Sequence, residues 1–446
     1  MIDRPGGGDT STRVGVLGLW HLGSVTAACL AEGGFDVVGL DPDPAVVAEL
    51  DAGRPPVGEP GLAELMAADV EAGKLRFSMP DASALAGFGV LWIAFDTPVD
   101  EEDRVDVDFV VDHVREVLPR LDRGTLVVTS SQLPVGTVAG FESFAAGAGR
   151  EDLEFAAVPE NLRLGKALDS FRKAERFVAG VRSEAGREAL APLLEPFSET
   201  IEWMGVESAE MTKHALNGFL ATSVAYINEI ATISEAVGAD AAEVSRGLKS
   251  DVRIGPRSYL GPGDAFAGGT LARDITTLRR IAGEKDLPAN LVGGVADSND
   301  AHRQWARRVL SDFTAADGGL AGKRVGVWGL AYKPGTDTLR RSSSLELCRW
   351  LRAEGAEVSA HDPAVAALPE ADLALGIEMA ASALEAASDA DALVVSTAWP
   401  EYREPSAAEI LAAMRGSLVV DAAGFLAGTV GTDPKATYVR VGVRPR

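Results

Sequence analysis

An α/β fold of two doubly wound halves joined by a long central helix is the architecture this sequence predicts, and three features carry it. Short apolar runs ending in small or polar residues alternate with helical segments from Arg13 to Ser130. Such alternation marks strand–helix–strand units around a parallel sheet. From Ser208 to Val237 it gives way to one helical stretch broken by no proline and only Gly218. At Gly322–Leu330, GKRVGVWGL, the alternation restarts and continues towards the C-terminus.

In order, Arg13–Leu17 reads as a strand closing on glycine, Ser24–Gly33 as helix, and Asp36–Leu40 as a second strand closing on Asp41. Val90–Phe95 and Thr125–Ser130 repeat the theme. Parallel crossovers of this kind are right-handed. The central helix, at about 30 residues, would run about 45 Å. Its apolar positions Leu216, Phe219, Leu220, Tyr226, Ile227, Ile230 and Ile233 exceed one stripe. That excess predicts packing against a second subunit, hence a homodimer, the alternative being that the chain's own core absorbs every face. Further strands are expected at Glu357–Ser359, Ala392–Ser396 and Ser417–Val420. The expected domains are residues 1–203, 204–312 and 313–446.

Composition narrows the function. The chain has 446 residues, 46% apolar and 24% charged, with a net charge of −24. That charge excludes nucleic acid as a partner, since phosphate backbones need a basic face. No apolar run approaches the ~18 residues of a membrane span, and the N-terminus lacks a signal-peptide core, so a cytoplasmic enzyme is expected. Cys29 and Cys348 are the only cysteines, which excludes a disulfide framework, and no metal site is expected because no Cys/His cluster has ligand spacing. An anionic ligand must then be held by local cations, of which Lys213, Arg253, Arg257, Arg273, Lys333, Arg340 and Arg341 lie in motif regions.

Gly18-Leu19-Trp20-His21-Leu22-Gly23 follows the first strand and opens a helix, the position of a Rossmann dinucleotide fingerprint with Trp20 at the second glycine. Asp41 ends the second strand 23 residues after Gly18, where a carboxylate accepts from ribose hydroxyls and repels a 2′-phosphate. NAD is therefore the expected cofactor. Thr97, in Phe95-Asp96-Thr97-Pro98, and Ser131, in the run Ser130–Thr137, follow later strands at the edge where open sheets bind ligands.

Several segments together resemble the nucleotide-sugar 6-dehydrogenase (UDP-glucose/GDP-mannose) family. Ala265–Asp274, AFAGGTLARD, is similar to the nucleophile loop GFGGSCFPKD; Val158–Leu162 to NPEFL; Gly329–Asp337 to GLAFKPNTD; Ser130–Thr137 to STVPVGT. Lys213-His214-Ala215-Leu216-Asn217 resembles the family's lysine–asparagine pair, in a stretch close to its central helix. The resemblance implies two Rossmann-like domains, NAD bound by Gly18, Trp20, His21, Leu22, Gly23, Asp41, Thr97, Ser131 and Arg340, and a nucleotide-sugar substrate. It places Asn161, Leu162, Arg163, Lys213, Asn217, Arg253, Tyr259, Leu260, Phe266, Gly268 and Lys333 at that substrate, Arg253 reaching the neighbouring subunit's sugar. Lys213, Asn217, Asp274, Glu160 and Thr270 take the catalytic positions.

The chemistry of these residues reads independently. Lys213 and Asn217, four apart on a helix, leave from one face. An ammonium and an amide aimed together stabilise a developing alkoxide. In the family a water held by the lysine and aspartate removes the alcohol proton, which assigns Lys213 and Asp274. Glu160 takes the place of the glutamate that works through water in a later hydrolytic step.

Thr270 stands where the family has its cysteine. A thiolate captures the first-formed aldehyde so that a second hydride can leave; a threonine hydroxyl is far less acidic and needs an adjacent base. Gln132, Leu164, Ala267, Ala272 and Ala423 also depart from the family's words. The expectation is one two-electron oxidation at or near C6, giving an aldehyde or, from a longer sugar, a ketone, as the higher-sugar dehydrogenases of aminooctose antibiotic pathways must do. The alternatives are a four-electron enzyme giving a uronate and a non-catalytic nucleotide-sugar-binding protein.

Overall fold

The structure, a computed structural model, describes residues 12–98, 105–160, 162–267, 269–331 and 333–444. The chain forms two compact units, Met1–Ala215 and Leu216–Arg446, divided within the central helix Val206–Val237.

The first unit is built on an eight-stranded sheet. Its strands are β1 (Arg13–Leu17), β2 (Asp36–Leu40), β3 (Leu75–Ser78), β4 (Val90–Ile93), β5 (Leu126–Thr129), β6 (Glu154–Ala157), β7 (Phe177–Val181) and β8 (Ile201–Met204). The order is β3-β2-β1-β4-β5-β6-β7-β8, parallel throughout except where β7 runs antiparallel to β6. Parallel strands covered on both faces must be apolar on both. Along β1, Val14 and Val16 enter the core of one face and Leu17 that of the other. Gly15 is small because a Cβ would lie 2.8 Å from the Phe88 ring.

The second unit repeats the plan in a six-stranded, all-parallel sheet. Its strands are β9 (Arg324–Trp328), β10 (Glu357–His361), β11 (Ile377–Met379), β12 (Ala392–Val395), β13 (Leu418–Asp421) and β14 (Thr437–Val439), ordered β11-β10-β9-β12-β13-β14. Helices Ala241–Ser250, Thr270–Glu284, Asn290–Arg303 and Trp305–Thr314 lie between the central helix and this sheet in sequence. Ala221 and Ala225 of the central helix pack with Ile275 and Val295 in a small core of their own.

The doubly wound halves and the long helix match the sequence prediction, with two differences. The first helix starts at His21, three residues before the predicted Ser24, because it begins directly after the glycine turn. Strands such as β3, β8 and β11 escaped prediction because they are three or four residues long and only partly buried, too short to show a period. On the central helix Ile227 is fully buried, whereas Phe219, Tyr226 and Ile233 are 69%, 49% and 57% exposed within the chain.

Candidate functional site

In open α/β sheets the crevice forms where neighbouring strands send their connections to opposite sides. In the first sheet that point lies between β1 and β4. Gly18 follows β1 at φ +91°, where a Cβ would sit 2.8 Å from the Phe95 Cα, so only glycine fits. A Cβ on Gly23 would overlap the Gly18 carbonyl oxygen. Trp20, between them, has a negative φ of −75°, unlike the left-handed Gly18, and the residue is half-exposed. The His21 ring pairs at 3.0 Å with Glu59, whose buried carboxylate also accepts from the Gly165 and Ala167 amides.

Asp41 ends β2 as expected. It accepts from the Leu19 amide at 2.8 Å and the Asp43 amide at 2.9 Å. Burial pushes its pKa up while those bonds pull it down; each oxygen keeps a second lone pair for a ribose hydroxyl. At the first helix N-terminus the Leu22 amide donates to Asp96 at 2.9 Å. Asp96 was not anticipated; it follows β4, where only its neighbour Thr97 was singled out. Thr97 itself donates to the Gln132 carbonyl at 3.0 Å. The buried hydroxyl of Ser131 has no partner among the described residues, and it lines a small cavity with Glu160, Lys213 and His214. The tight turn, the close helix packing, the acidic strand end and this orphaned hydroxyl fit a dinucleotide, with Asp96 as an internal competitor for its pyrophosphate.

Lys213 and Glu160 meet in the same unit. The Lys213 ammonium donates to the Glu160 carbonyl at 2.5 Å and lies 3.6 Å from its carboxylate. Glu160 also accepts from the Leu162 amide at 2.5 Å. His214, next along the helix, is buried with its ring nitrogen Nε2 3.1 Å from the Leu133 carbonyl oxygen. Leu162 is half-buried and Arg163 exposed; Asn161 and Gly268 lie outside the described residues.

In the second unit the switch point falls between β9 and β12. The connections that follow them, through Ala331, Lys333, Ser396 and Thr397, line an open cleft. Its other wall brings together Tyr259, Leu260 and Phe266, expected at the substrate, and Thr270, expected at the catalytic position. Phe266 is held by exchanged bonds with buried Asn299, both 2.9 Å. Thr270 is exposed at the first turn of its helix, behind Gly269 at φ 116°. Asp274, one turn further, is fully buried and accepts from the Asn217 amide at 2.5 Å. Arg253 does not join the cleft: its side chain is 85% exposed and bonded to Asp251. Arg340 is also exposed, preceding Arg341 at φ 57°. Cleft residues that the sequence did not disclose are Asp264, in a loop, and Lys249, Ser343 and Ser344, at helix ends; single polar residues at such places carry no periodic signal.

Neither cysteine can replace the missing nucleophile. Cys29 and Cys348 are both fully buried, and burial pushes each thiol up to about 12.

Comparison with known proteins agrees with this geometry. Residues 12–198, 207–301 and 326–428 match, in turn, the NAD binding domain, the central domain and the UDP binding domain described for the UDP-glucose/GDP-mannose dehydrogenase family. The chain is 34% identical to a UDP-glucose 6-dehydrogenase of Pseudomonas aeruginosa, over 97% of this chain and 98% of that protein. It is 32% identical to a UDP-glucose 6-dehydrogenase of Bacillus subtilis, over 96% of each. Among solved structures, a UDP-glucose dehydrogenase from Pyrobaculum islandicum superposes with a TM-score of 0.79 at 31% identity, covering 94% of this chain and 95% of that one.

Proposed function

Because the chain belongs to the UDP-glucose/GDP-mannose dehydrogenase family, and is thereby an NAD-dependent nucleotide-sugar dehydrogenase acting on CH–OH, we propose that it carries out one two-electron oxidation of its sugar at or near C6 and releases a carbonyl compound. The observation that carries this reading is Thr270 in the cleft, with both cysteines buried elsewhere. A hexose would give a 6-aldehyde. A sugar with carbons beyond C6, as in aminooctose antibiotic pathways, would give a ketone, which has no further hydride to lose.

The alcohol loses its O–H proton as its C–H hydride leaves, and NAD, when bound, accepts that hydride. The reading assigns Lys213 and Asn217, one turn apart on one helix, to the developing alkoxide. One Asn217 N–H is committed to Asp274; that bond orients the amide so that its second N–H serves the substrate oxygen. Lys213 and Asp274 together position the water that takes the proton. Gly18, Trp20, His21, Leu22, Gly23, Asp41, Thr97, Ser131 and Arg340 are assigned to NAD, and Asp41 to its preference over NADP. Leu162, Arg163, Tyr259, Leu260, Phe266 and Lys333 are assigned to the nucleotide sugar. Residues 1–203, 204–312 and 313–446 are taken as the cofactor, central and nucleotide-sugar domains. The exposed stripe Phe219, Tyr226 and Ile233 supports a homodimer, in which Arg253 serves the partner's sugar. A cytoplasmic enzyme completes the reading.

A second reading, four-electron oxidation to a uronate, is favoured by the naming of relatives as UDP-glucose 6-dehydrogenases. NADH yield per sugar in excess NAD separates the two. One NADH and a product trapped by hydroxylamine are expected; two NADH with a uronate would refute the single oxidation.

A further inference from the structure

Asp264 is a carboxylate in the substrate cleft that none of the preceding chemistry uses. It borders both this open cleft and an adjoining cavity, which share Ser343, Ser344 and Ser396. Its position is built rather than incidental. The Gly263 amide donates to the Asn228 side chain at 3.1 Å, and the Asn228 amide donates back to the Asp264 carbonyl at 3.2 Å. The His302 ring holds the Gly263 carbonyl at 2.7 Å. Asn228 and His302 are themselves buried, so this loop is fixed before any ligand arrives.

The Asp264 carboxylate itself has no hydrogen-bond or ion-pair partner among the described residues, although it faces the cleft. Desolvation raises its pKa, and the neighbouring Asp421 carboxylate adds to the rise. Asp421 is satisfied by the Phe425 and Leu426 amides and the Tyr438 hydroxyl. Lys249 and Lys333, also in the cleft, suit a diphosphate. A carboxylate does not: it repels phosphate and gains only from N–H or O–H donors, most from paired or charged ones.

We infer that Asp264 is a specificity residue that reads an N–H donor group of the nucleotide sugar. Two parts of such a substrate carry that chemistry. Guanine sets its ring N–H beside its exocyclic amine, so one carboxylate accepts both; uracil offers a single N–H between two carbonyl oxygens, which a carboxylate repels. An amino sugar offers an ammonium. The inference rests on the nucleotide-sugar reading of the cleft.

Calorimetric titration of the full chain with GDP, UDP, UDP-glucose and UDP-glucosamine tests it. A charge-assisted pair should favour the donor-bearing ligand by roughly 10-fold or more. A preference for GDP over UDP places the donor on the base; a preference for UDP-glucosamine over UDP-glucose places it on the sugar. In either case D264N and D264A should bring the favoured pair to within about twofold. Binding of all four without preference in the wild type, or a preference kept in both variants, overturns the role of Asp264 and leaves the nucleotide-sugar reading standing. Failure of all four to bind overturns both.

Discussion

The Leu22 amide donates to the Asp96 carboxylate at 2.9 Å, at the N-terminus of the helix that follows the glycine turn. Helix N-termini attract anions through unpaired amides and the helix dipole, so Asp96 takes up an amide of the kind that the proposed NAD pyrophosphate would use. Asp96→Asn should tighten NAD binding, by about 3- to 10-fold if the carboxylate must be displaced. Burial raises the Asp96 pKa, opposed by the Leu22 bond. Protonation at low pH therefore removes the competing charge, and ionisation as pH rises restores it. The gain from Asp96→Asn should grow with pH across the carboxylate range. Calorimetry at several pH values checks this; equal or weaker NAD binding by the variant at every pH would rule out competition.

Lys213 is expected to act on the transition state. Its ammonium meets an alkoxide that exists mainly as the hydride leaves, so Lys213→Ala should lower kcat by on the order of 10²–10³ with a much smaller change in KM. Near-normal kcat with a raised KM would make the lysine a substrate anchor instead.

Asn217→Ala carries a stability effect as well. It removes a partner of Asp274, a carboxylate with no solvent exposure. A buried acceptor losing a hydrogen bond costs about 1–3 kcal/mol, to be read from denaturant unfolding alongside a fall in kcat smaller than that of Lys213→Ala. An unchanged unfolding midpoint would mean that Asp274 is satisfied without Asn217.

Restoring the thiol separates the two oxidations. Thr270→Cys should leave the first step within about tenfold of wild type, since the first hydride transfer does not require a nucleophile. With a hexose substrate, acid product above the wild-type level would show that a thiol suffices to open the second step. A loss of the first step by about 10³ with the fold intact would give Thr270 itself a direct role.

The exposed stripe on the central helix is tested by charge. Tyr226→Arg with Ile233→Arg should shift a dimer towards monomer in sedimentation velocity, because burying an unpaired charge costs several kcal/mol. A wild-type chain that sediments as a monomer at micromolar concentration would refute the dimer outright.

The sequence by itself determined the architecture, because its signals are local. Gly18 and Gly23 around the first turn, Asp41 at a strand end and thirty residues of helical pattern are legible without contacts, since backbone sterics and periodicity write them into neighbouring positions. The same holds for Thr270: a missing thiol is visible in one letter, and two buried cysteines could only confirm that nothing replaces it. Tertiary structure decided the rest. That Asp96 would bond to Leu22, 74 positions away, and that Asp264 would stand without a partner among the described residues in a cleft with Lys249 and Lys333, depends on where loops from separate strands and helices come to lie. Lone carboxylates in loops carry no period and no spacing. Their environment, and so their charge and their task, is fixed only when the sheets bring distant segments together and remove water from around them.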